Sequence, residues 1–478
     1  MPSPPRTSTS GLAVPPPIAA VVAITLGTCV LHWTRGRYAL WAVLASVAIA
    51  LVLLGASSLR PRRTPRVDAG TGEPGAGDVG AALPVVWLLG AAAVAVGLLA
   101  GLPRWAYPEK FRTEVVLQAA HALTALGFLL AAWRARQGGG KGTVRGTVAL
   151  VAALAAGLVG VRMVLPWMSP HPFIDSWTLQ QEAGDVLLSG GNPYRHAYSQ
   201  LYPFERYGYR SHFGYLPLVA YFDALGRWLV RDVRWLYVAC DVATAWGFGR
   251  LASGTLAPQR WTVGPWALAA WFLALPYGPF VIEQCWSEPL LLALATWSVV
   301  GWHASTRSAG IGLGLALAAK QTNGLLAVLA LAGAGGRRPR LQRMGWTVAA
   351  AAAISAPLAL ADIDAFLRST VFGFVQMPPR TDGFSLWTVA FVEGGIEGPA
   401  WGSAVVALPL LALAMLRVWR QQPVAALGAL AATYHVFFLG ARQSFGNYHW
   451  FALGLWALAL AAGSRDEPPA SSATGAIT

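Results

Sequence analysis

The chain has 478 residues, 55% of them hydrophobic and 12% charged, where a soluble domain carries about 25% charged residues. This excludes a soluble globular protein, and apolar runs of roughly bilayer length recur from end to end. The net charge of +14 sits in short arginine clusters between those runs, the positive-inside pattern of a membrane protein rather than a nucleic-acid-binding groove.

Taken in order, residues 1–17, "MPSPPRTSTSGLAVPPP", form a Pro/Ser-rich tail with no small-residue cleavage site, expected to be disordered and cytoplasmic. Spans are expected near 18–33, 38–56, 82–101 and 114–133, so that 18–146 is an N-terminal region of four membrane helices. A fifth span at 147–167 opens a second region, 147–463. The connectors "LRPRRTPR" and "WRARQGGGKGTVR" are basic and face the cytoplasm. Alternation then puts the loop 168–213 on the periplasmic side.

Further spans are expected near 235–252, 262–280, 288–303, 344–361, 399–417, 424–440 and 449–463, and 464–478 is a second disordered tail. "YLPLVAYFDALGRWLVRDVR" must be a half-span or interfacial helix, although its three arginines suit the cytoplasm equally well. The fold expected is an all-α polytopic membrane protein of about 11–13 transmembrane helices, with short barrel-like alternating segments absent. Cys29, Cys240 and Cys285 lack paired spacing and read as packing residues.

"SAGIGLGLALAAKQTNGLLAVLALAGAG" is apolar but carries Lys320, Gln321, Thr322 and Asn323 at its middle. A charge at the centre of a span costs a few kcal/mol and is normally functional. Basic flanks at both ends favour two short helices of about a dozen residues meeting at "KQTNG", a re-entrant pair whose tip reaches the outer side.

The loop after the fifth span begins "HPFIDSWTLQQEAGDVLLSGGNPYR". Pro172 suits the first turn of a helix, and Gly190 and Gly191 supply a left-handed stop. At 100° per residue Asp175, Thr178, Glu182 and Asp185 share one side. Asp175, next to the helix N-terminus and the membrane exit, suits a general base held ionised at the lipid boundary. Glu182 and Asp185 read more plainly as the solvated side of an interfacial helix. Tyr194, Tyr198, Tyr202, Tyr207, Tyr209 and Tyr215 make the rest of the loop aromatic; most read as membrane-interface anchors, with sugar stacking as the functional alternative.

Other outer segments bring cations: Lys320, Arg380 in "PPRTDGF", and Arg442 and His449 in "ARQSFGNYHW". Cations facing a carboxylate suit a transfer in which a phosphate leaves. Each has a plain alternative, headgroup snorkelling for the arginines and packing for His449. Glu283 and Glu288 flank "QCWS" and can serve as ion-pair partners, a metal ligand or helix N-terminal charges; the sequence does not choose between these.

Three features together resemble the C-type superfamily of integral-membrane glycosyltransferases (GT-C), most closely glycosyltransferase family 87. They are an Asp just after a span followed by "LLSGGNPY" and "FGYLPL", the Lys at the break in "GIGLGLALAAKQTNGLLAVLAL", and "RQSFGNYHW" before a late span. The resemblance implies an inverting transfer of a sugar, often mannose, from a polyprenyl phosphate to a hydroxyl of a lipid, glycan or protein on the outer face of the plasma membrane.

Asp175 would then be the base, and Lys320, Arg380, Arg442 and His449 would face the donor phosphate. Glu182, Asn192, Tyr194, Tyr215, Gln284, Glu288, Gln321 and Asn447 are the further substrate-contact candidates. The chain departs from the family in having four spans before the matching region, and in a single carboxylate in "FID" where some members present two acids. The single carboxylate argues against a first-loop metal site, so no cofactor is expected, with a divalent metal left open; the charge pattern gives no nucleic-acid partner. A flippase for a lipid-linked saccharide is the rival, but its ionisable groups would lie near mid-membrane rather than at one face.

Overall fold

The computed structural model describes residues 16–58, 79–101, 111–137, 141–203, 211–253, 263–302, 304–332, 337–399 and 401–464. The two expected tails, apart from their innermost residues, and the "LRPRRTPR" connector lie outside them. Among the described residues there are helices and no strands.

The N-terminal region is a hairpin of α1 (Pro16–Thr34) and α2 (Leu40–Ser58), then α3 (Val79–Gly101) and α4 (Phe111–Gln137). After α5 (Lys141–Met168) come the short α6 (Asp175–Leu188), α7 (Pro217–Val230) and α8 (Arg234–Ser253). Next are α9 (Val263–Ala274), α10 (Gly278–Glu283), α11 (Glu288–Gly301) and α12 (Thr306–Leu317). A 3-10 helix (Gln321–Ala327) running into α13 (Val328–Leu331) leads to α14 (Arg337–Ala361). Then α15 (Ile363–Leu367) passes through a π turn into α16 (Gly373–Gln376), followed by α17 (Leu386–Gly394), α18 (Gly402–Trp419), α19 (Pro423–Leu439) and α20 (Gly446–Gly463).

Five described helices, α1, α4, α5, α14 and α18, are long and apolar enough to cross a membrane. Shorter apolar helices fill the interior: α11, with 14 residues, rises about 21 Å. The chain is a multi-pass membrane protein whose central helices α11, α19 and α20 are buried and whose peripheral helices show Trp133, Val348, Leu360 and Trp419 outward. A lipid-facing surface is apolar for the same reason that a core is.

Two expectations about elements are corrected. The span expected at 262–280 is broken, because α9 stops at Ala274 and Pro276, which has no N–H to continue the ladder, turns the chain into the six-residue α10. Pro172 precedes α6 instead of lying in its first turn, since the helix begins at Asp175. The left-handed stop is present: Gly190 has φ 81° and the Gly191 N–H reaches the Val186 carbonyl at 2.8 Å.

The lysine-bearing segment does split into two arms. The 12-residue α12 is capped by the Ser305 hydroxyl accepting from the Ser308 N–H, and the second arm is the 3-10 helix with α13. Both arms pack against α14 and against each other. The helix α7 is amphipathic, burying Val219, Ala220 and Asp223 and exposing Trp228 and Leu229. Its Arg227 forks onto Asp185 of α6 at 2.8 and 2.9 Å, so α7 lies at the same end of the bundle as α6. Arg234, at the start of α8, reaches the Pro166 carbonyl and Ser169 at the end of α5.

Candidate active site

Asp175 is the first residue of α6 and its Oδ1 accepts the Ser176 N–H at 2.7 Å. A turn between α10 and α11 fixes the helix behind it. There Cys285 takes a left-handed φ of 56°, an unusual conformation for a residue with a Cβ. The turn points two carbonyls at α6: Gln284 O accepts from the Ser176 hydroxyl at 2.6 Å, and Cys285 O accepts from the Gln180 carboxamide. Tyr237 donates to the same Gln180 side chain. Asp175 is thereby anchored beside the strained turn that leads into Glu288.

Glu288 is the first residue of α11 and is buried. Its Oε1 accepts from Lys320 Nζ at 2.6 Å and from the Asn447 carboxamide at 2.8 Å. Of the roles open to Glu288 in the sequence, the structure therefore shows two at once, ion-pair partner and helix N-terminal charge. The Lys320 ammonium lies 4.3 Å from the Tyr448 ring centre and 5.7 Å from that of Tyr215. The charge of the Asp175 carboxylate adds to the cost of ionising both tyrosine hydroxyls, after burial and the charge of Glu288.

The break in the helical segment is held by the end of the α6 loop. Lys320 has extended backbone. The Leu216 and Leu218 N–H groups donate to the Ala319 and Ala318 carbonyls at 3.1 and 2.9 Å. The Gln321 carboxamide reaches Gly214 O at 2.8 Å and Thr370 O at 2.7 Å, and the Tyr434 hydroxyl reaches Thr322 O at 2.9 Å. "FGYLPL" and "AAKQTNG", far apart in sequence, are thus one hydrogen-bonded unit with Tyr215 and Lys320 at its centre.

Several buried polar atoms without a hydrogen-bond partner among the described residues lie here: Tyr277 Oη, Gln284 Nε2, Ser287 Oγ, Glu288 Oε2 and Asn447 Oδ1. Each such group costs about 1–3 kcal/mol if it stays dry, so water or a polar ligand at this turn would satisfy them.

The late cations are distributed around this centre. Arg380 forks onto Asp382 at 2.8 and 2.9 Å and stacks on the Phe445 ring at 5.2 Å; Phe445 in turn faces Tyr448. Arg442 lies 4.0 Å from Glu397. His449 is buried, with Nε2 2.7 Å from the Phe384 carbonyl, so that nitrogen carries the proton and the ring acts as a packing donor.

Three of the substrate-contact candidates shape the loop. Glu182 accepts the Ser199 N–H at 3.1 Å. Asn192 bridges the Tyr194 N–H and the Leu358 carbonyl, and Tyr194 donates to Tyr215 O at 2.9 Å. Tyr194 and Tyr198 are buried in an aromatic cluster with Phe213. For these two the interface-anchor expectation is corrected: the loop folds over its own rings and removes them from the surface. Tyr207 and Tyr209 lie outside the described residues. At the loop's far edge the Ala365 N–H and the Arg195 guanidinium hold the Asp362 carboxyl below the usual carboxylate range. Among the described residues no group of three His, Cys, Asp or Glu side chains is placed to hold a metal.

Sequence reasoning missed Ser176, Gln180, Tyr277 and Tyr448, whose roles depend on contacts across the fold. Asp241 stood out as a charge away from the outer face, but its buried partner Arg162, 3.0 Å away between α5 and α8, was missed. Both are charges inside apolar runs, and that was the available signal.

Fold and site together define a multi-pass membrane protein with a buried acid–lysine centre at one end of its helices. Residues 213–440, just under half of the chain, match the model of glycosyltransferase family 87, which supports a membrane glycosyltransferase of that type. The matched stretch carries Tyr215, Glu288, Lys320 and Arg380, while Asp175, Arg442, Asn447 and His449 lie outside it. No curated protein and no solved structure matches the chain significantly.

Proposed function

We propose that the protein transfers a hexose such as mannose from a polyprenyl phosphate to a hydroxyl of a lipid, glycan or protein acceptor, with inversion. The observation that carries this reading is the buried Lys320–Glu288–Asn447 centre against the Tyr215 and Tyr448 rings, whose hydroxyls also feel the charge of Asp175. Asp175 takes the acceptor proton as the acceptor oxygen bonds to the anomeric carbon. The bond from that carbon to the phosphate oxygen breaks, and its electron pair leaves with the polyprenyl phosphate. The N-terminus of α6 favours the ionised form of Asp175 that a base requires. Glu288 and the Tyr448 hydroxyl engage two of the three donors of the Lys320 ammonium, so one remains for a phosphate oxygen. Arg380 and Arg442 add positive potential.

Charge distribution supports a periplasmic or extracellular site in the plasma membrane. Arg134, Arg136, Arg145, Arg307, Arg340 and Arg420 lie at the end of the bundle away from α6, where the described residues carry no carboxylate. Basic connectors are enriched in the cytoplasm, which favours α6 and the acids facing outward. The test is purified protein in vesicles with a radiolabelled polyprenyl-phosphate hexose and a membrane glycolipid extract as acceptor. Release of polyprenyl phosphate with the label moving to glycolipid is expected; movement of intact donor across the bilayer without cleavage would overturn the reading.

A further inference from the structure

The four helices ahead of α5 enter none of the chemistry above, yet the connector of the first hairpin reaches the site. The helix α1 ends in a left-handed turn, with φ 55° at Arg35 and 65° at Gly36, closed by the Gly36 N–H on Leu31 O at 2.8 Å. This turn drives Gly36 against Gly446 and Tyr277. A Cβ on Gly36 would stand 2.1 Å from the Tyr277 hydroxyl and 2.7 Å from Gly446 Cα. Gly446 immediately precedes Asn447, which holds Glu288.

The next residues tie the connector to the Arg380 segment. The Tyr38 N–H donates to Asp382 O at 3.3 Å, and the Tyr38 hydroxyl donates to Glu393 at 2.5 Å. Hairpin docking lower down is continuous with this: Ser46 Oγ lies 3.0 Å from His435 Nε2, and Trp271 donates to Thr25 at 3.0 Å.

We propose that this connector is a wall of the substrate site and that Arg35 and Arg37 hold the phosphate of the lipid-linked donor together with Lys320. The proposal rests on the transfer reading above and adds to it the residues that grip the donor. The acids nearest the connector are already engaged: Asp382 by Arg380, Glu393 by Tyr38, Glu288 by Lys320. Arg35 and Arg37 form no ion pair among the described residues, and Arg35 Nε is buried without a partner. The Tyr277 hydroxyl, likewise buried and unpartnered, lies against Gly36 and feels the charges of both Arg37 and Glu288. Two guanidinium groups without an ion pair among the described residues, on a connector packed against Tyr277 and Gly446, suit a phosphate dianion, for which Arg offers paired donors. A connector between two membrane helices sits at the depth where a lipid-linked phosphate lies.

The test measures the affinity of the purified full chain for a polyprenyl phosphate in phosphatidylcholine vesicles, for wild type, Arg35→Ala, Arg37→Ala and Arg37→Lys. Thermal midpoints are taken in parallel. Kd is expected to rise about tenfold for each alanine variant, the loss of one charge-assisted contact, and less for Arg37→Lys, with midpoints unchanged. Unchanged affinity in the alanine variants, with tight binding by wild type, overturns this inference and leaves the transfer reading standing. Absence of binding by wild type overturns the transfer reading itself, and this inference with it. The same series with phosphatidylglycerol added separates donor from bulk headgroups: an arginine effect seen only with that lipid overturns the assignment to the donor.

Discussion

Lys320 Nζ lies 2.6 Å from Glu288 Oε1, both side chains are buried, and Asn447 shares the same carboxylate oxygen. Removing one partner of such a pair strands a charge away from water and typically costs about 3–5 kcal/mol. Lys320→Ala is therefore expected to lower the thermal midpoint and abolish transfer. The double variant Lys320→Met with Glu288→Leu removes both charges and should regain most of the stability while staying inactive. Thermal unfolding alongside turnover checks this; an active double variant would show that the pair only holds helices together.

The two halves of that relationship were legible to different degrees. Lys320 stood out because a cation amid apolar residues needs a reason, and Asp175 because it follows a span and opens a helix. Glu288 was visible as an acid, but its partner was not, since the pairing depends on how α11 meets the break after α12. The loop tyrosines misled in the opposite way: composition gives the same signal for a ring at the membrane interface as for one stacked inside a loop, and only the fold puts Tyr194 and Tyr198 inside. The helix stop at Gly190 was readable, whereas the break at Pro276 was passed over inside a continuous apolar run. The contribution of the first hairpin was invisible, because nothing in "TRGRY" announces a glycine contact with "FGNYHW".

Gln321 joins two segments through one carboxamide, donating to Gly214 O and Thr370 O. Gln321→Ala leaves both carbonyls without that donor, at about 1–3 kcal/mol for each one that stays dry. The expected result is faster amide hydrogen exchange across 214–219 and 366–372 together with reduced turnover. Exchange that stays at the wild-type rate in both segments would show that backbone pairing alone aligns them.

Gly446 permits the hairpin to dock, because a Cβ there would stand 2.2 Å from the Tyr277 hydroxyl and 2.6 Å from Gly36 Cα. Part of that clash is with backbone, so no rotamer relieves it. Gly446→Ala should lower turnover and the thermal midpoint. Gly55→Ala, in the same hairpin but with nothing within 4 Å of its Cβ, should be neutral or slightly stabilising, since Ala is the better helix former. Equal behaviour of the two variants would remove the contact as a determinant.

The most direct measurement is turnover of a polyprenyl-phosphate hexose by Asp175→Asn, with binding of the released polyprenyl phosphate followed on the same preparation. Asn keeps the size of the side chain and the bond to the Ser176 N–H but cannot act as a base. The account predicts wild-type binding with transfer reduced at least about a hundredfold, the scale of general-base catalysis. Transfer at the wild-type rate by a correctly folded Asp175→Asn protein would contradict it.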